Sequence, residues 1–227
     1  FAFYKCTYLT YISLPPQLST INYNAFDKCY NLSLINNESP LKLYFGTEQH
    51  GKVAYYVKNI ITSDKTQFKE IGDYLLKINE DSTEINLIRY IGNNSIINLP
   101  QSFFERKYKI ESNAFFANNT IREVNFSEGV TEIGHSAFYE CENLAFISFS
   151  DSLKKIDKKA FSNCKKLHKL ILPKNIGAIG DSAFWGCDHL FYIVNNSPLN
   201  IKLGEKTDGY VAYYAKTLNT EGNKIKY

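Results

Sequence analysis

Residues 137–187 read AFYECENLAFISFSDSLKKIDKKAFSNCKKLHKLILPKNIGAIGDSAFWGC and contain one phrase three times. The phrase is Ala-Phe-x-x-Cys, and it begins at Ala137, Ala160 and Ala183, a step of 23 residues each time. Between the copies, apolar residues return at fixed offsets: Leu144, Ile147, Phe149, Leu153 and Ile156, then Leu167, Leu170, Leu172, Ile176 and Ile179. A fixed period of this length predicts a solenoid, in which stacked units share one continuous core.

A second, longer period contains the short one. Two more copies of the phrase begin at Ala2 and Ala25, and the spacing of Cys29 from Cys187 is 158 residues, as is that of Pro40 from Pro198. The sequence lacks Met and starts inside a repeat, so we expect it to be a piece of a longer protein.

The two periods predict four segments. These are N-terminal repeats over 1–35, an inserted spacer module over 36–113, C-terminal repeats over 114–195, and the start of a second spacer module over 196–227. Within the first spacer, apolar residues at Val53, Tyr56, Val57 and Ile60 predict a short helix over 53–60. Two apolar stretches around a polar turn predict a hairpin-like strand pair over 74–90.

The fold class predicted is α/β, as a leucine-rich-repeat-like solenoid with an inserted spacer module. Leu144-x-x-Ile147-x-Phe149 matches the L-x-x-L-x-L core of leucine-rich repeats, and its alternation suits a strand with one buried face. Stacked units would form a parallel β-sheet on one side and short helical or 3₁₀ turns at Ala-Phe-x-x-Cys on the other. Because helices need more width than strands, the sheet would be concave, although 3₁₀ turns would flatten it.

All five cysteines occupy the same position of the repeat, namely Cys6, Cys29, Cys141, Cys164 and Cys187. This regularity predicts a structural ladder of buried free thiols, because Cys packs as a small apolar residue. The alternatives are disulfides or a zinc site. An odd number of cysteines cannot pair completely, and the sequence lacks the ligand spacing typical of zinc sites.

The pattern resembles the BspA-like leucine-rich-repeat family of bacterial and protozoan surface proteins. The residues that carry the resemblance are 137–156, 160–182 and 183–194, and IGDSAFWGC at 179–187 is close to the wording typical of that family. The resemblance implies a secreted or surface-attached protein, located outside the cell, and some members bind matrix proteins or other cells. It implies no catalytic motif.

The composition and motifs argue against nucleic-acid binding, membrane insertion and metal or cofactor chemistry. The formal net charge is only +3, whereas dedicated nucleic-acid binders usually have a strong basic excess. No apolar run is long enough for a membrane helix, and the four His share no motif with a nucleophile or a carboxylate, so we predict no cofactor, no metal and no membrane insertion. A lysine cluster over 154–166 is best explained as a solvated face, with contact to an acidic polysaccharide or anionic surface as the alternative.

Strand alternation predicts which side chains leave the core on the sheet side. We take seven of them as candidate ligand-binding residues: Tyr11, Glu123, Phe146, Lys169, Ile171, Tyr192 and Val194. Exposed aromatic residues among charges suit a protein contact. The alternative is that the segment over 36–113, or a further unit, covers this face.

These observations predict a non-enzymatic, adhesion-type module that binds a protein or glycan ligand through the concave sheet. The first alternative is a structural spacer or stalk without a ligand of its own. A third hypothesis is an enzyme whose site lies in the insertion over 60–113.

Overall fold

The structure is a computed structural model that describes residues 2–43, 50–54, 57, 59–63, 66–79, 84–220 and 223–226. The chain divides into two compact units, Phe1–Thr83 and Glu84–Tyr227. The boundary between them lies inside the segment predicted as the first spacer, and the four-segment division itself stays a prediction.

The first unit stacks three parallel strands and ends in antiparallel pairing. Its strands are β1 (Tyr11–Leu14), β2 (Leu34–Asn37), β3 (Asn59–Thr62), β4 (Thr66–Ile71) and β5 (Tyr74–Asn79). Strands β1, β2 and β3 are parallel, and Tyr11 is paired with Leu34, which is paired with Asn59. Strands β3, β4 and β5 are antiparallel. Gly72, with φ of 56°, supplies the left-handed residue in the tight turn between β4 and β5.

One prediction for the first spacer needs correction. The predicted helix over 53–60 is wrong at its end, because Asn59 and Ile60 belong to β3; residues 55, 56 and 58 lie outside the described part. An apolar i, i+3, i+4 spacing does not exclude a turn followed by a buried strand. Strands form at both ends of the predicted pair over 74–90, and 80–83 lie outside the described part. The sequence reading missed the β4–β5 hairpin.

The second unit has two rows of strands. The row that we call the front sheet contains β7 (Ile96–Asn98), β9 (Glu123–Asn125), β11 (Phe146–Ser148), β13 (Lys169–Leu172), β15 (Tyr192–Asn195), β16 (Thr217–Thr220) and β17 (Asn223–Lys226). The side sheet contains β6 (Ile85–Tyr90), β8 (Tyr108–Ile110), β10 (Val130–Ile133), β12 (Lys155–Ile156) and β14 (Ala178–Ile179), all parallel. The predicted solenoid with a parallel sheet is therefore confirmed, and the side sheet was not predicted.

The Ala-Phe-x-x-Cys segments form turns in the described residues, and the predicted helices are not found there. We call one turn of the solenoid a coil. After β10, the amides of Ser136, Phe138 and Glu140 donate to carbonyls of the next coil at 3.1, 2.7 and 2.9 Å. Ser136 and Glu140 have φ of 54° and 58°, in the left-handed region. An α-helix needs these amides to bond four residues back, so bonding between coils excludes it.

The core of the second unit contains a column of stacked rings. Phe138 lies 4.4 Å from Phe115 and 5.0 Å from Phe161, and Phe161 lies 5.3 Å from Phe184, as measured between ring centroids. All four rings are buried. Each Ala beside them lets neighbouring turns approach closely, so one Phe per coil fills the interior.

In the second unit, Cys141, Cys164 and Cys187 form another column beside the rings, and all five cysteines of the chain are free. Four are fully buried, whereas Cys6 is half-buried. The Sγ of Cys141 donates to the Phe115 carbonyl at 3.1 Å, and the Sγ of Cys164 donates to that of Phe138 at 3.3 Å. The thiol therefore fills a small volume and adds a weak hydrogen bond between coils.

The corner after β15 is built by one buried side chain. The Nδ2 of Asn195 donates to the Leu199 carbonyl at 2.8 Å, and its Oδ1 accepts the Ser197 amide at 3.0 Å. Asn37 makes the same two bonds, to Leu41 at 2.8 Å and from Ser39 at 3.2 Å. The longer repeat in the sequence therefore corresponds to a repeated turn in which the side chain replaces backbone partners.

A short helical element, α1 (Thr207–Tyr210), follows this corner in the second unit. Asp208 and Gly209 have φ of 46° and 66°, so this segment is a helical turn and not a regular helix. In the first unit, His50–Lys52 forms a 3₁₀ turn at the corresponding place. No helix among the described residues has the length and apolar character needed to cross a membrane.

Candidate functional site

The front sheet presents every second side chain to its outer face. In β9, β11, β13 and β15, the central Val124, Ile147, Leu170 and Ile193 point inward, and the residues on either side point outward. The parallel register places Phe146 opposite Glu123 and Tyr192 opposite Lys169. Because side chains alternate along a strand, the outward residues of adjacent strands form two columns.

Six of the seven candidate residues lie on these strands of the second unit. Phe146 and Ile171 are 54% and 42% exposed, Lys169 is also exposed, and the other three, Glu123, Tyr192 and Val194, are half-buried. Tyr11 lies on β1 in the first unit, where it is exposed. The structure therefore brings the aromatic, aliphatic and charged candidates of the second unit into one surface.

Contacts between neighbouring strands orient several of these side chains. The Lys169 ammonium lies 5.5 Å from the centre of the Tyr192 ring, and Asn219 Nδ2 donates to the Tyr192 hydroxyl at 2.7 Å. The His168 ring meets the Phe146 ring edge to face, with centroids 4.8 Å apart. Each side chain is thus held by a partner from the adjacent coil, which lowers the entropy lost when a ligand binds.

Sequence reasoning missed His168 and Asn219 as neighbours of this surface. Asn219 lies on β16, a strand that the sequence analysis did not predict. His168 precedes β13, and its contact with Phe146 depends on how two coils stack. No signal within either repeat could show these contacts.

The polar side chains of the second column bond to each other. Asn125 Nδ2 donates to Asn98 Oδ1 at 3.0 Å and to Glu123 Oε1 at 2.8 Å. Ser148 Oγ donates to Asn125 Oδ1 at 2.7 Å. The hydrogen-bonding capacity of these groups is largely used within the protein, so the apolar side chains beside them dominate what the surface offers.

A cavity of about 240 Å³ lies in this surface between β11 and β13. Its lining includes Phe146, Ile147, Ile171, Lys169 and Glu123. We call it the front cleft. Ile147, which points inward, is half-buried, whereas Val124, Leu170 and Ile193 are fully buried at the equivalent position. The front cleft thus exposes part of the core.

A larger groove of about 610 Å³ lies near the side sheet and is lined mainly by polar groups. These include Lys107, Glu128, Asp151, Lys154 and Asn175. Asp151 Oδ1 accepts the Lys174 amide at 3.1 Å, so this carboxylate serves the turn itself. We favour the smaller front cleft because Phe146, Ile147 and Ile171 line part of it, and large apolar side chains are typical of ligand pockets.

The predicted lysine cluster has acidic partners. Lys165 Nζ lies 2.7 Å from Glu142, and Lys158 Nζ lies 3.7 Å from Asp181. The Glu142 carboxylate raises the pKa of Lys165 above its ordinary value. These exposed pairs are consistent with a solvated face.

The thiols are poor candidates for nucleophiles. Burial raises the pKa of Cys141 and Cys187 to about 12, and burial likewise raises that of Cys164. The thiolate is the reactive form, so these groups are unreactive at neutral pH. Across the part of the chain that the structure describes, no cluster of His, Cys, Asp and Glu could hold a metal ion.

The sequence matches the family model of the BspA type leucine rich repeat region over residues 1–107 and 108–205. None of the curated proteins matches this chain in sequence.

Among solved structures, a leucine rich cell surface protein from Faecalibacterium prausnitzii matches with a TM-score of 0.58 and 19% identity, over 98% of this chain and 62% of that one. The pneumococcal vaccine antigen PcpA matches with a TM-score of 0.56 and 21% identity, over 94% of this chain and 57% of that one. The chain therefore spans about three fifths of the length of these two proteins. Likeness at this identity shows a shared fold.

Proposed function

The chain belongs to the BspA-type leucine-rich-repeat family, and from this premise we propose that it is a non-enzymatic module that binds a protein ligand on its front sheet. We further propose that it acts at a cell surface or after secretion, as an adhesion-type module. Family membership supports this location, and so does the likeness to a protein described as a cell surface protein.

The observation that carries the proposal is the exposure of Phe146 on β11 and of Ile171 on the neighbouring strand β13. Large apolar side chains held in fixed positions are typical of the residues that contribute most to protein binding. Lys169 and Glu123 lie beside them and would set the orientation of a partner. An apolar patch with charged neighbours is a common feature of protein contact sites.

A protein ligand fits this surface better than a glycan. Sugars are held mainly by polar side chains that are free to bond hydroxyl groups, but Asn125 and Ser148 are already bonded within the column. The Phe146 ring also packs against the His168 ring, edge to face, with centroids 4.8 Å apart. The apolar side chains therefore favour an apolar partner.

The test is selection followed by substitution. A phage-displayed library of random linear peptides would be panned against the immobilised chain, and the affinity of each selected peptide would be measured by titration calorimetry. We expect Phe146→Ala to weaken binding by about tenfold or more, which corresponds to about 1.4 kcal/mol or more.

The matched control is Phe116→Ala. Phe116 is 49% exposed, nearly as much as Phe146, but lies in the turn segment and stacks on Tyr139. Peptides that bind this variant and the wild type equally, but not Phe146→Ala, would support the proposal. Peptides that bind all three proteins equally would overturn the assignment to the front sheet. Failure to select any peptide would favour the alternative, a structural spacer.

A further inference from the structure

The front sheet is interrupted between β11 and β13. Strands β7, β9 and β11 form one hydrogen-bonded group, and β13, β15, β16 and β17 form another. Strands β11 and β13 are spatial neighbours, yet among the described residues no backbone ladder joins them. The front cleft lies at this interruption.

The missing bonds can be identified by comparison with the other coils. The Tyr192 amide donates to the His168 carbonyl at 3.3 Å, and the Phe146 amide donates to the Arg122 carbonyl at 3.1 Å. The equivalent bond would join the Lys169 amide to the Ala145 carbonyl, and it is absent from the described part of the chain. This bond therefore does not tie β11 to β13 at the place where Ile147 is half-buried.

The cleft has the size of a single side chain, and its lining combines three large apolar residues with the polar Glu123, Asn125, Ser148 and Lys169. Phe146 and Ile171 form its walls, and the half-buried Ile147 forms its floor. Its volume of about 240 Å³ is below the range of about 300–1,000 Å³ that is typical of pockets for drug-sized ligands. One bulky side chain of a partner protein would fill it.

The charges around the cleft indicate what should lie next to that side chain. Lys169 is exposed and contacts the Tyr192 ring, and no acidic side chain in the described residues forms an ion pair with it. Arg122 and Lys216, which are also exposed, precede other strands at the same end of the front sheet. Glu123 is the acidic group in the lining, and it already accepts a hydrogen bond from Asn125.

We propose that the front cleft is an anchor pocket for one large apolar side chain of the protein ligand, with an adjacent carboxylate of the ligand paired to Lys169. The inference rests on the proposed binding function and names its central contact.

The pocket can be tested with a small probe that carries the two expected groups. The probe is 3-phenylpropionate, and 3-phenylpropylamine is its counterpart with the opposite charge. Isoleucine methyl groups would be labelled and followed by NMR during titration. We expect the acid to shift the methyl signals of Ile147 and Ile171 in a saturable way, and to leave the buried Ile193 unchanged. The amine should bind roughly two- to fivefold more weakly, as expected for one exposed ion pair.

Three substitutions test the pocket and its charged neighbour. Ser148→Phe should fill the cleft and abolish the shifts, whereas Asn98→Phe puts the same ring in the same column two strands away and should preserve them. Lys169→Met should remove the difference between the acid and the amine. Shifts that persist in Ser148→Phe, or wild-type spectra that do not change at the solubility limit of the acid, would overturn the proposal.

The peptides selected by panning keep this inference distinct from the proposed function. Peptides that lose affinity with Phe146→Ala but bind Ser148→Phe as well as wild type would overturn the anchor pocket and leave the binding function in place. Peptides that bind Phe146→Ala and Ser148→Phe more weakly than wild type, but bind Asn98→Phe as well as wild type, would support the pocket.

Discussion

Replacing Phe161 by Ala tests the stacked core directly. The Phe161 ring is fully buried between Phe138 and Phe184, at centroid distances of 5.0 and 5.3 Å and interplanar angles of 7° and 11°. Phe126 and Phe149 also meet its edge, at 6.4 and 5.9 Å. The variant would therefore leave a cavity with ring walls on several sides.

The expected magnitude follows from these contacts. Removal of a buried Phe side chain costs about 3–5 kcal/mol, depending on how far the site collapses. The neighbouring rings are held by their own coils, and each lost aromatic pair is worth about 0.5–1.5 kcal/mol beyond area. We therefore expect a loss of about 4–5 kcal/mol in the free energy of unfolding, a large share of the about 5–15 kcal/mol that is usual for a domain.

The assay is equilibrium unfolding in urea, followed by circular dichroism and by fluorescence. The single Trp of the chain, Trp185, lies in the next coil, where its carbonyl accepts the Asn163 amide at 2.7 Å, so its emission reports on this region. Phe146→Ala serves as the control, because that ring is 54% exposed and its loss should cost less than about 1 kcal/mol.

A loss below about 1 kcal/mol for Phe161→Ala, equal to that of the control, would refute the stacked column and the repeat register derived from it. Because repeat proteins can unfold in parts, the two signals must be compared. Coincident transitions would show that the cavity weakens the whole second unit.

Two further predictions concern close packing and titration. Gly180→Ala should destabilise the second unit by about 1–3 kcal/mol in urea unfolding, because a Cβ there would overlap the Lys158 amide nitrogen. Gly177→Ala, where a Cβ would meet nothing within 4 Å, should change the stability by less than about 0.5 kcal/mol, and equal effects of the two substitutions would contradict this packing. The free energy of unfolding should fall as pH rises from about 9 towards 12. In the unfolded chain the thiols of Cys141 and Cys187 lose their protons near the ordinary pKa of 9.0, whereas in the folded chain they keep them up to a pKa of about 12. If the thiols cause this fall, it should be less steep in the double variant Cys141→Ala/Cys187→Ala.

The candidate surface could be predicted from the sequence in large part. Alternation along each strand was enough to place Phe146, Lys169 and Ile171 on the outside and their neighbours in the core. Their common face followed from the repeat step, because equal positions in successive coils lie side by side. The front cleft could not be predicted, since the repeat around β11 is as regular in sequence as its neighbours.

The turn segments show a similar limit. The spacing of Ala160, Phe161 and Cys164 correctly indicates which side chains are buried, but it suits a helix and a turn equally well. The choice depends on the Phe161 amide, which donates to the Ala183 carbonyl of the next coil at 2.8 Å. A hydrogen bond between residues so far apart in the chain produces no periodic pattern in the sequence, so it could not be predicted.

By itself, the sequence determined that this protein is a stacked repeat, which residues point inward, and that rings and thiols form columns. These properties follow from which side chains are buried, and buried positions recur in the sequence once in every coil. Only the tertiary structure decided that a side sheet exists, that the turns are not helices, and that β11 and β13 separate to expose Ile147. These features depend on hydrogen bonds and ring packing between coils, and a contact between two coils is a property of neither repeat alone.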